Sequence, residues 1–405
     1  MRKQTDGGEV KIHKSYEGNV GFEQMYKHLE MLNAAKYVAT AKALGIYCNN
    51  GGFNTDNYKV ITRTGMVNNH YLAFSGGTPQ SNYRASFGVM DHNTIIKKMD
   101  YNVFVAKVDV TQKAFNDRLT GEFGVFGSSF KNHDIFDTQM LFYSAACQNP
   151  TFPAGTDEHG NWLKNESATH VNPPGILLEE KNDSKDLNFD AHIKLSYDFN
   201  KNWRVSTFGS YLYGSTENGQ FCPTWVWAQG NVYRGEFKKE EWLGNVSLDF
   251  NKEFGIHKVS AGVSSEYRKL RNTALCVYVT GIPTHDFHYD NLGDTAARPY
   301  GGTESTYEDQ SLASVMGSIT YNLLDRYTLA VNARGDGSSM VGDNNTWGFF
   351  PSVSFTWDMK KESFLANIKP LSMLKLRTGL GHAGNLGGIS AYTTMNTVRQ
   401  TGIVP

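Results

Sequence analysis

The stretch Phe189-Asp190-Ala191-His192-Ile193-Lys194-Leu195-Ser196-Tyr197-Asp198-Phe199 decides the fold class. Phe189, Ala191, Ile193, Leu195, Tyr197 and Phe199 alternate without a break with Asp190, His192, Lys194, Ser196 and Asp198. Successive side chains of a strand point to opposite faces, so one face is apolar and the other carries both signs of charge. Charges of that kind do not sit in a dry core. They face water, either outside a soluble sheet or inside a pore.

The same period returns along the chain. Val246, Leu248 and Phe250 follow it, as do Tyr327, Leu329, Val331 and Ala333, then Val353, Phe355 and Trp357, then Leu374, Leu376 and Leu380. Thirteen strands are expected, at 9–22, 68–77, 81–91, 101–112, 118–130, 187–199, 203–213, 241–253, 257–270, 310–323, 326–336, 346–358 and 372–383. Many exceed the roughly 5–6 residues usual in soluble sheets and reach the ~9–11 residues that cross a bilayer as a tilted strand. The gaps alternate long and short: Gly77-Thr78-Pro79-Gln80 and Asn200-Lys201-Asn202 follow gaps of tens of residues. Transmembrane barrels sort their connections this way, with short turns on one rim and longer loops on the other. Tyr211, Tyr213, Trp203, Trp242, Trp347, Phe349 and Phe350 gather near strand ends, as interfacial girdles do, though core and turn aromatics make the same pattern.

Composition fits. Of 405 residues, 40% are hydrophobic and 13% aromatic, and mean hydropathy is −0.45. No apolar run is long enough for a membrane helix, which leaves a barrel open. A net charge of −1 gives no reason to expect a nucleic-acid partner. The start, Met1 to Gly8, has no apolar signal-peptide core, and both ends read as cut from something longer. Segment 23–44, with Met25, Leu29, Leu32, Tyr37, Ala41 and Leu44 at helical spacing, is the one helix expected, inside the first long gap. Cys48, Cys147, Cys222 and Cys276 all fall in expected gaps. They are free thiols or, in an oxidising exterior, one of three disulfide pairings.

Residues 325–358, from Asp325-Arg326-Tyr327 through Arg334, Asp336-Gly337-Ser338-Ser339, Asn345, Trp347-Gly348 and Phe350-Pro351-Ser352, resemble the barrel of SusC/RagA-type TonB-dependent outer-membrane transporters of Bacteroidetes. Ser75-Gly76-Gly77-Thr78 with Asn82-Tyr83, Leu32-Asn33-Ala34-Ala35-Lys36-Tyr37, Leu374-Lys375-Leu376-Arg377 and Gly384-Asn385 support it. Met340, Val341, Thr346 and His382 depart from the family pattern. The resemblance implies an all-β, transmembrane antiparallel barrel in the outer membrane, of which 1–405 would be one partial domain in a barrel of about 22 strands. Residues 1–8 would be the exit from a plug domain, and 23–44 a helix in the first extracellular loop. It implies import of an oligosaccharide or peptide, a SusD-like lipoprotein over the extracellular loops, the TonB complex acting through the plug, lipid around the wall, and no cofactor. Gaps 131–186, 214–240 and 271–309 would lie outside, and turns near 78–80, 113–117, 200–202 and 323–325 in the periplasm. Two other readings stay open: the product of a split gene, and a secreted β-rich glycan-binding protein.

The site candidates are binding residues. Trp225, Trp227 and Tyr233, with Phe221, crowd the 214–240 gap and either stack on sugar or a partner, or pack the loop. Arg334 and Asp336 sit at a long-loop rim beside Gly337-Ser338-Ser339, where Asp and Ser suit a turn, with Gly at positive φ, more readily than a carbohydrate contact. His133, His159, His170, His285 and His288 are scattered, and His285, Asp286 and His288 lack metal-ligand spacing. The Gly-x-Gly pairs stand in no strand–turn–helix setting, and no nucleophile elbow or catalytic carboxylate pair stands out.

Overall fold

The computed structural model describes residues 12–163, 172–293, 301–342 and 346–395. The expected plug exit at 1–8, His170, Asn345 and 401–405 lie outside the described residues. Among the described residues, thirteen strands form one sheet in chain order. They are β1 (His13–Glu23), β2 (Gly65–Gly77), β3 (Ser81–Asn93), β4 (Asp100–Ala114), β5 (Leu119–Asp134), β6 (Lys181–Asp198), β7 (Trp203–Cys222), β8 (Asn231–Phe254), β9 (His257–Val279), β10 (Thr303–Leu323), β11 (Tyr327–Ser338), β12 (Trp347–Asp358) and β13 (Lys375–Gly381). Every neighbouring pair is antiparallel.

The register sorts the side chains into rows. Arg204, Asp249, Gly262, Ser318, Asn332 and Ser352 stand opposite one another across β7 to β12 on the polar face. One residue along lies the row Trp203, Phe250, Ala261, Ile319, Val331 and Val353, on the other face. Two rows further up that face, Leu195, Thr207, Val246, Ser265, Val315, Gly335 and Phe349 align. Val246 is 54% exposed and Ile319 58% exposed. A largely apolar face this open is not a surface for water.

Aromatic pairs bound the face. Tyr327 stacks near Trp357 at 6.3 Å and Phe254 on His257 at 5.2 Å toward the short turns, while Tyr211 and Trp242 meet at 4.3 Å higher up. β8 covers the interval from Phe254 to Trp242, about 40 Å of strand, or about 30 Å of height at the ~40° tilt usual in barrels. That accommodates an apolar band of about 25 Å with a girdle at each edge.

The strands run past the upper girdle, which corrects the expected boundaries. Most of the expected gap 214–240 is strand, in β7 and β8, and β9 and β10 take the two ends of 271–309. Above the band, water and the chain's own loops meet the wall, so the period-two signal stops while backbone pairing continues. Cys222 therefore ends β7 and Cys276 lies within β9, against the expectation that no cysteine is in a strand, and all four thiols are free. Length alternation holds for the loops 24–64, 135–180 and 280–302, but β3–β4 and β7–β8 connect briefly over 94–99 and 223–230. On the short-turn rim, 359–374 is the long exception.

The helix expected at 23–44 is only α1 (Ala34–Ala43), because Asn33 caps it by accepting a hydrogen bond from the Lys36 amide at 2.9 Å. Met25, Leu29 and Leu32 keep helical spacing in an irregular stretch, with Leu29 67% exposed. Three further helices, where the sequence reading expected none, stand on the rim: α2 (Asn57–Ile61), α3 (Thr138–Cys147) and α4 (Pro173–Glu179), capped by Asp56, Asp137 and Asn172. A one-turn helix, α5 (Ser363–Ala366), lies in the 359–374 connection.

Candidate functional site: the loop rim and the polar wall

Four loops of the long-loop rim share one core. Tyr58 and Ile61 from the first, Ile96 from the second and Ile135, Leu141, Ala145, Ile176 and Leu177 from the third are buried together, with Trp225 of the fourth against them. Backbone bonds stitch the seam: Phe53 N–H donates to Thr151 at 2.9 Å and Lys97 N–H to Ile61 at 3.0 Å. A hollow of about 420 Å³ lies between the first and third loops, lined by His28, Asn33, Asn54, Tyr58 and Gln148.

Trp225 belongs to this core. Its indole N–H donates to Glu179 Oε2 at 2.6 Å, Trp162 donates to the other oxygen, and the two indoles lie 6.2 Å apart. A Cβ on Gly175 would fall 2.4 Å from the Trp225 ring. Trp225 is thus spent on packing, whereas Trp227, 60% exposed on the 223–230 connection, is open to a ligand. Tyr233, expected in a loop, is in β8 and donates to Cys276 Sγ at 3.2 Å. Phe221, at the top of β7, is fully buried with Val232 and Val279, packed by Ile282, Tyr289 and Leu292. These three lie on the sheet face that is apolar lower down, so the 280–293 segment folds over that face above the band and shields them. Tyr289 donates to Asp183 Oδ2 at 2.5 Å, and Arg234 Nη1 to Asp290 at 3.1 Å. Burial holds the His288 imidazole below its usual range.

Glu180, between α4 and β6, is the most perturbed rim acid. Burial pushes its carboxyl up to about 7, although the Asp137 amide and the Cys222 thiol draw it down. The Cys222 Sγ lies 3.7 Å from Glu180 Oε1. Nothing in the sequence around Glu180 marks it, because its burial comes from segments distant in the chain.

Arg334 and Asp336 are elsewhere, on the polar face of β11. They line a hollow of about 670 Å³ with Asp249, Ser264, Asn332 and Ser352. Arg334 Nε donates to Asp336 at 2.7 and 2.8 Å, and Nη2 to Ser314 Oγ at 3.0 Å, which braces β11 against β10. The turn expected at Asp336-Gly337-Ser338 begins later, since all three residues are in β11. Gly337 is not at positive φ. It is needed because a Cβ there would lie 2.8 Å from the Trp347 ring. Ser338 and Ser339 keep turn chemistry: their hydroxyls accept from Met340 N–H at 3.2 Å and Ser311 N–H at 2.9 Å. Phe350, expected in a girdle, lines the polar hollow, while Trp347 and Phe349 occupy the other face. A Cβ on Gly348 would meet the Phe350 ring at 2.6 Å, and Pro351 stands opposite Ala333 in the row above Ser352. Along β8, Tyr233 lies fourteen residues from Ser247, which shares a row with Arg334, or roughly 45 Å. The expected binding residues therefore form two separate sites.

The sequence profile described as "TonB dependent receptor-like, beta-barrel" matches residues 129–402. The chain belongs to that family. Among TonB-dependent receptors, SusC of Bacteroides thetaiotaomicron is 28% identical over an alignment covering 95% of this chain and 41% of SusC. Receptor P3 of Formosa agariphila is 27% identical over 91% of the chain and 38% of its own length. The fold of this TonB-dependent receptor barrel matches the RagAB peptide transporter with a TM-score of 0.73 at 14% identity, over 92% of this chain and 47% of that one. The barrel is of the SusC/RagA type and belongs to the outer membrane, as the resemblance at 325–358 implied. The chain spans less than half the length of the relatives it matches.

Proposed function

We propose that this chain is part of the wall of a TonB-dependent transporter that imports an oligosaccharide or peptide. A SusD-like lipoprotein would seat on the long-loop rim, outside the cell, and TonB would act through a plug domain. The observation that carries the reading is the pair of faces: a hydrogen-bonded polar wall behind a lipid-facing band. Chemistry at such a wall is binding rather than bond-making. Trp227 is the candidate for stacking on substrate, with Tyr233 and Trp225 bracing the loop beneath it. Arg334 and Asp336 present their remaining lone pairs and protons to the lumen. The peptide option is favoured by the likeness in fold to RagAB, a peptide transporter.

β1 and β13 are the sheet's two borders, and thirteen alternating strands make them run in the same direction. Such borders cannot pair antiparallel, and an open edge in hydrocarbon leaves backbone groups unpaired at several kcal/mol each. An odd number of further strands would close the wall. A secreted glycan-binding protein fits the apolar band poorly and would be soluble without detergent.

The test is uptake by cells carrying the complete reading frame with its flanking DNA. Accumulation of labelled peptide or oligosaccharide should require TonB and the proton-motive force. Uptake indifferent to TonB would refute TonB-dependent import. Residues 1–405 expressed alone behind an export signal should give no heat-modifiable, protease-resistant band, and a stable band would refute the need for further strands.

A further inference from the structure

The connection between β12 and β13 does not behave like the other short-rim turns. Those turns are brief, whereas 359–374 forms a compact foot. It is tied to the lipid-facing side of the wall. Glu362 accepts from the Tyr327 hydroxyl at 2.5 Å, the Trp357 indole N–H at 3.0 Å and Arg326 Nη1 at 3.2 Å. Tyr327 and Trp357 stand opposite each other in the lower aromatic girdle, on the apolar face. At a membrane surface the polar tips of such rings ordinarily meet lipid headgroups. Here a carboxylate of the chain itself takes that place, so the segment following Glu362 lies at headgroup level.

The foot is held in shape by its own lysines. Lys360 Nζ donates to the carbonyls of Leu365, Ala366 and Ile368 at 2.9, 3.0 and 2.9 Å, satisfying the end of α5. Lys361 Nζ donates to the Asp325 carbonyl at 2.8 Å, fastening the foot to the neighbouring turn. What this frame presents is apolar: Phe364 is 65% exposed, Met373 66% and Ile368 43%. Lys361 and Lys369 provide positive charge beside them. Large apolar side chains with interleaved lysines are the composition of segments that lie in the membrane interface.

We propose that 359–374 is an interfacial foot, which seats Phe364, Ile368 and Met373 at the headgroup–acyl boundary of the leaflet on the short-turn side. Lys361 and Lys369 lie at phosphate level. Continuity with the girdle through Glu362 is the reason lipid, rather than a protein, is the occupant. The foot would fix the depth of the wall and the orientation of β12 and β13 in the bilayer.

The complete receptor, with its native cysteines replaced by serine, is reconstituted in phosphatidylethanolamine–phosphatidylglycerol vesicles. Nitroxide labels are placed one at a time at 364, 368, 369 and 373, with position 201 in the β6–β7 turn as the aqueous control. Accessibility to oxygen is compared with accessibility to a water-soluble nickel complex. The expected result is a ratio of oxygen to nickel accessibility several-fold higher at 364, 368 and 373 than at 201, with 369 intermediate. Values at 364, 368 and 373 equal to that at 201 would overturn the proposal, as would labels shielded from both reagents, which would mean a protein covers the foot. A second variant, Phe364→Ser with Ile368→Ser and Met373→Ser, should move a label at 367 toward the control while the heat-modifiable band persists. A label that stays in place would equally overturn the proposal.

Discussion

At one rim, β8 reverses into β9 over Gly255 and Ile256, with Gly255 at φ +61°. At the other, β5 reaches β6 only after α3 and α4 have joined a core fed by four loops. The first reversal is solved locally: a residue free to adopt the left-handed region closes the hairpin. Asn116, Asp117 and Asp325 do the same at positive φ in neighbouring turns. The second is solved by packing between segments as much as a hundred residues apart, such as Gly51 N–H on Thr151 Oγ1 at 3.2 Å. A short turn therefore fails alone, whereas the loop rim fails as a unit, with the strands below able to persist.

Leu141→Ala is the hardest blow to that comparison. Leu141 is fully buried in the shared rim core, and its truncation should cost about 2–5 kcal/mol of rim stability. Hydrogen exchange should show lost protection in α2, α3 and α4 together, with β6 to β9 unchanged. Equal loss in the strands would mean that rim and wall are one cooperative unit.

Leu195→Arg attacks the wall instead. Near the middle of the apolar band it should cost about 2–4 kcal/mol, read by denaturant unfolding of the complete receptor in vesicles. Lys194 already bears charge on the opposite face, 3.6 Å from Glu122. A label at 195 that water-soluble reagents reach, with 194 protected, would reverse the faces.

Glu180→Gln sharpens the comparison through pH. The folded-state value of about 7 lies above the ordinary 4.5. Stability tied to the protonated acid is complete below about pH 4.5 and is lost as pH rises through 7. The glutamine variant should match the native rim near pH 4.5 and exceed it at pH 8 by on the order of 2–3 kcal/mol. Limited proteolysis of 135–180 across that range checks it. A native rim no weaker at pH 8 than at pH 5 would contradict the assignment.

Gly255→Ala should have the smallest effect, about 1–2 kcal/mol, because alanine is strained at positive φ. The loss should remain within the β8–β9 hairpin and leave the exchange of the rim core untouched.

How much was readable follows the same division. Period-two alternation located all thirteen strands, because in the band one face meets lipid and the other water, and each residue declares its side. Above the girdle that contrast ends. The run Lys238-Lys239-Glu240 reads as a loop, yet it is strand, held by backbone pairing and by cross-strand ion pairs such as Arg271 to Glu240 at 3.7 Å. The motif at 334–352 was visible, but its reasons were not. Gly337 serves the Trp347 ring across the hairpin, and Asp336 serves Arg334.

What the sequence determined by itself is therefore the wall: strand number, antiparallel order, the two faces and the family. Each follows from local chemistry, since a strand's faces and a turn's φ are set within a few residues. Only the tertiary structure decided which aromatic is spent on packing and which is open, why Trp225 is half-buried against the rim core while Trp227 is exposed, and where Glu180 loses its water. Those outcomes depend on the segments that arrive from other loops, and no window of sequence contains them.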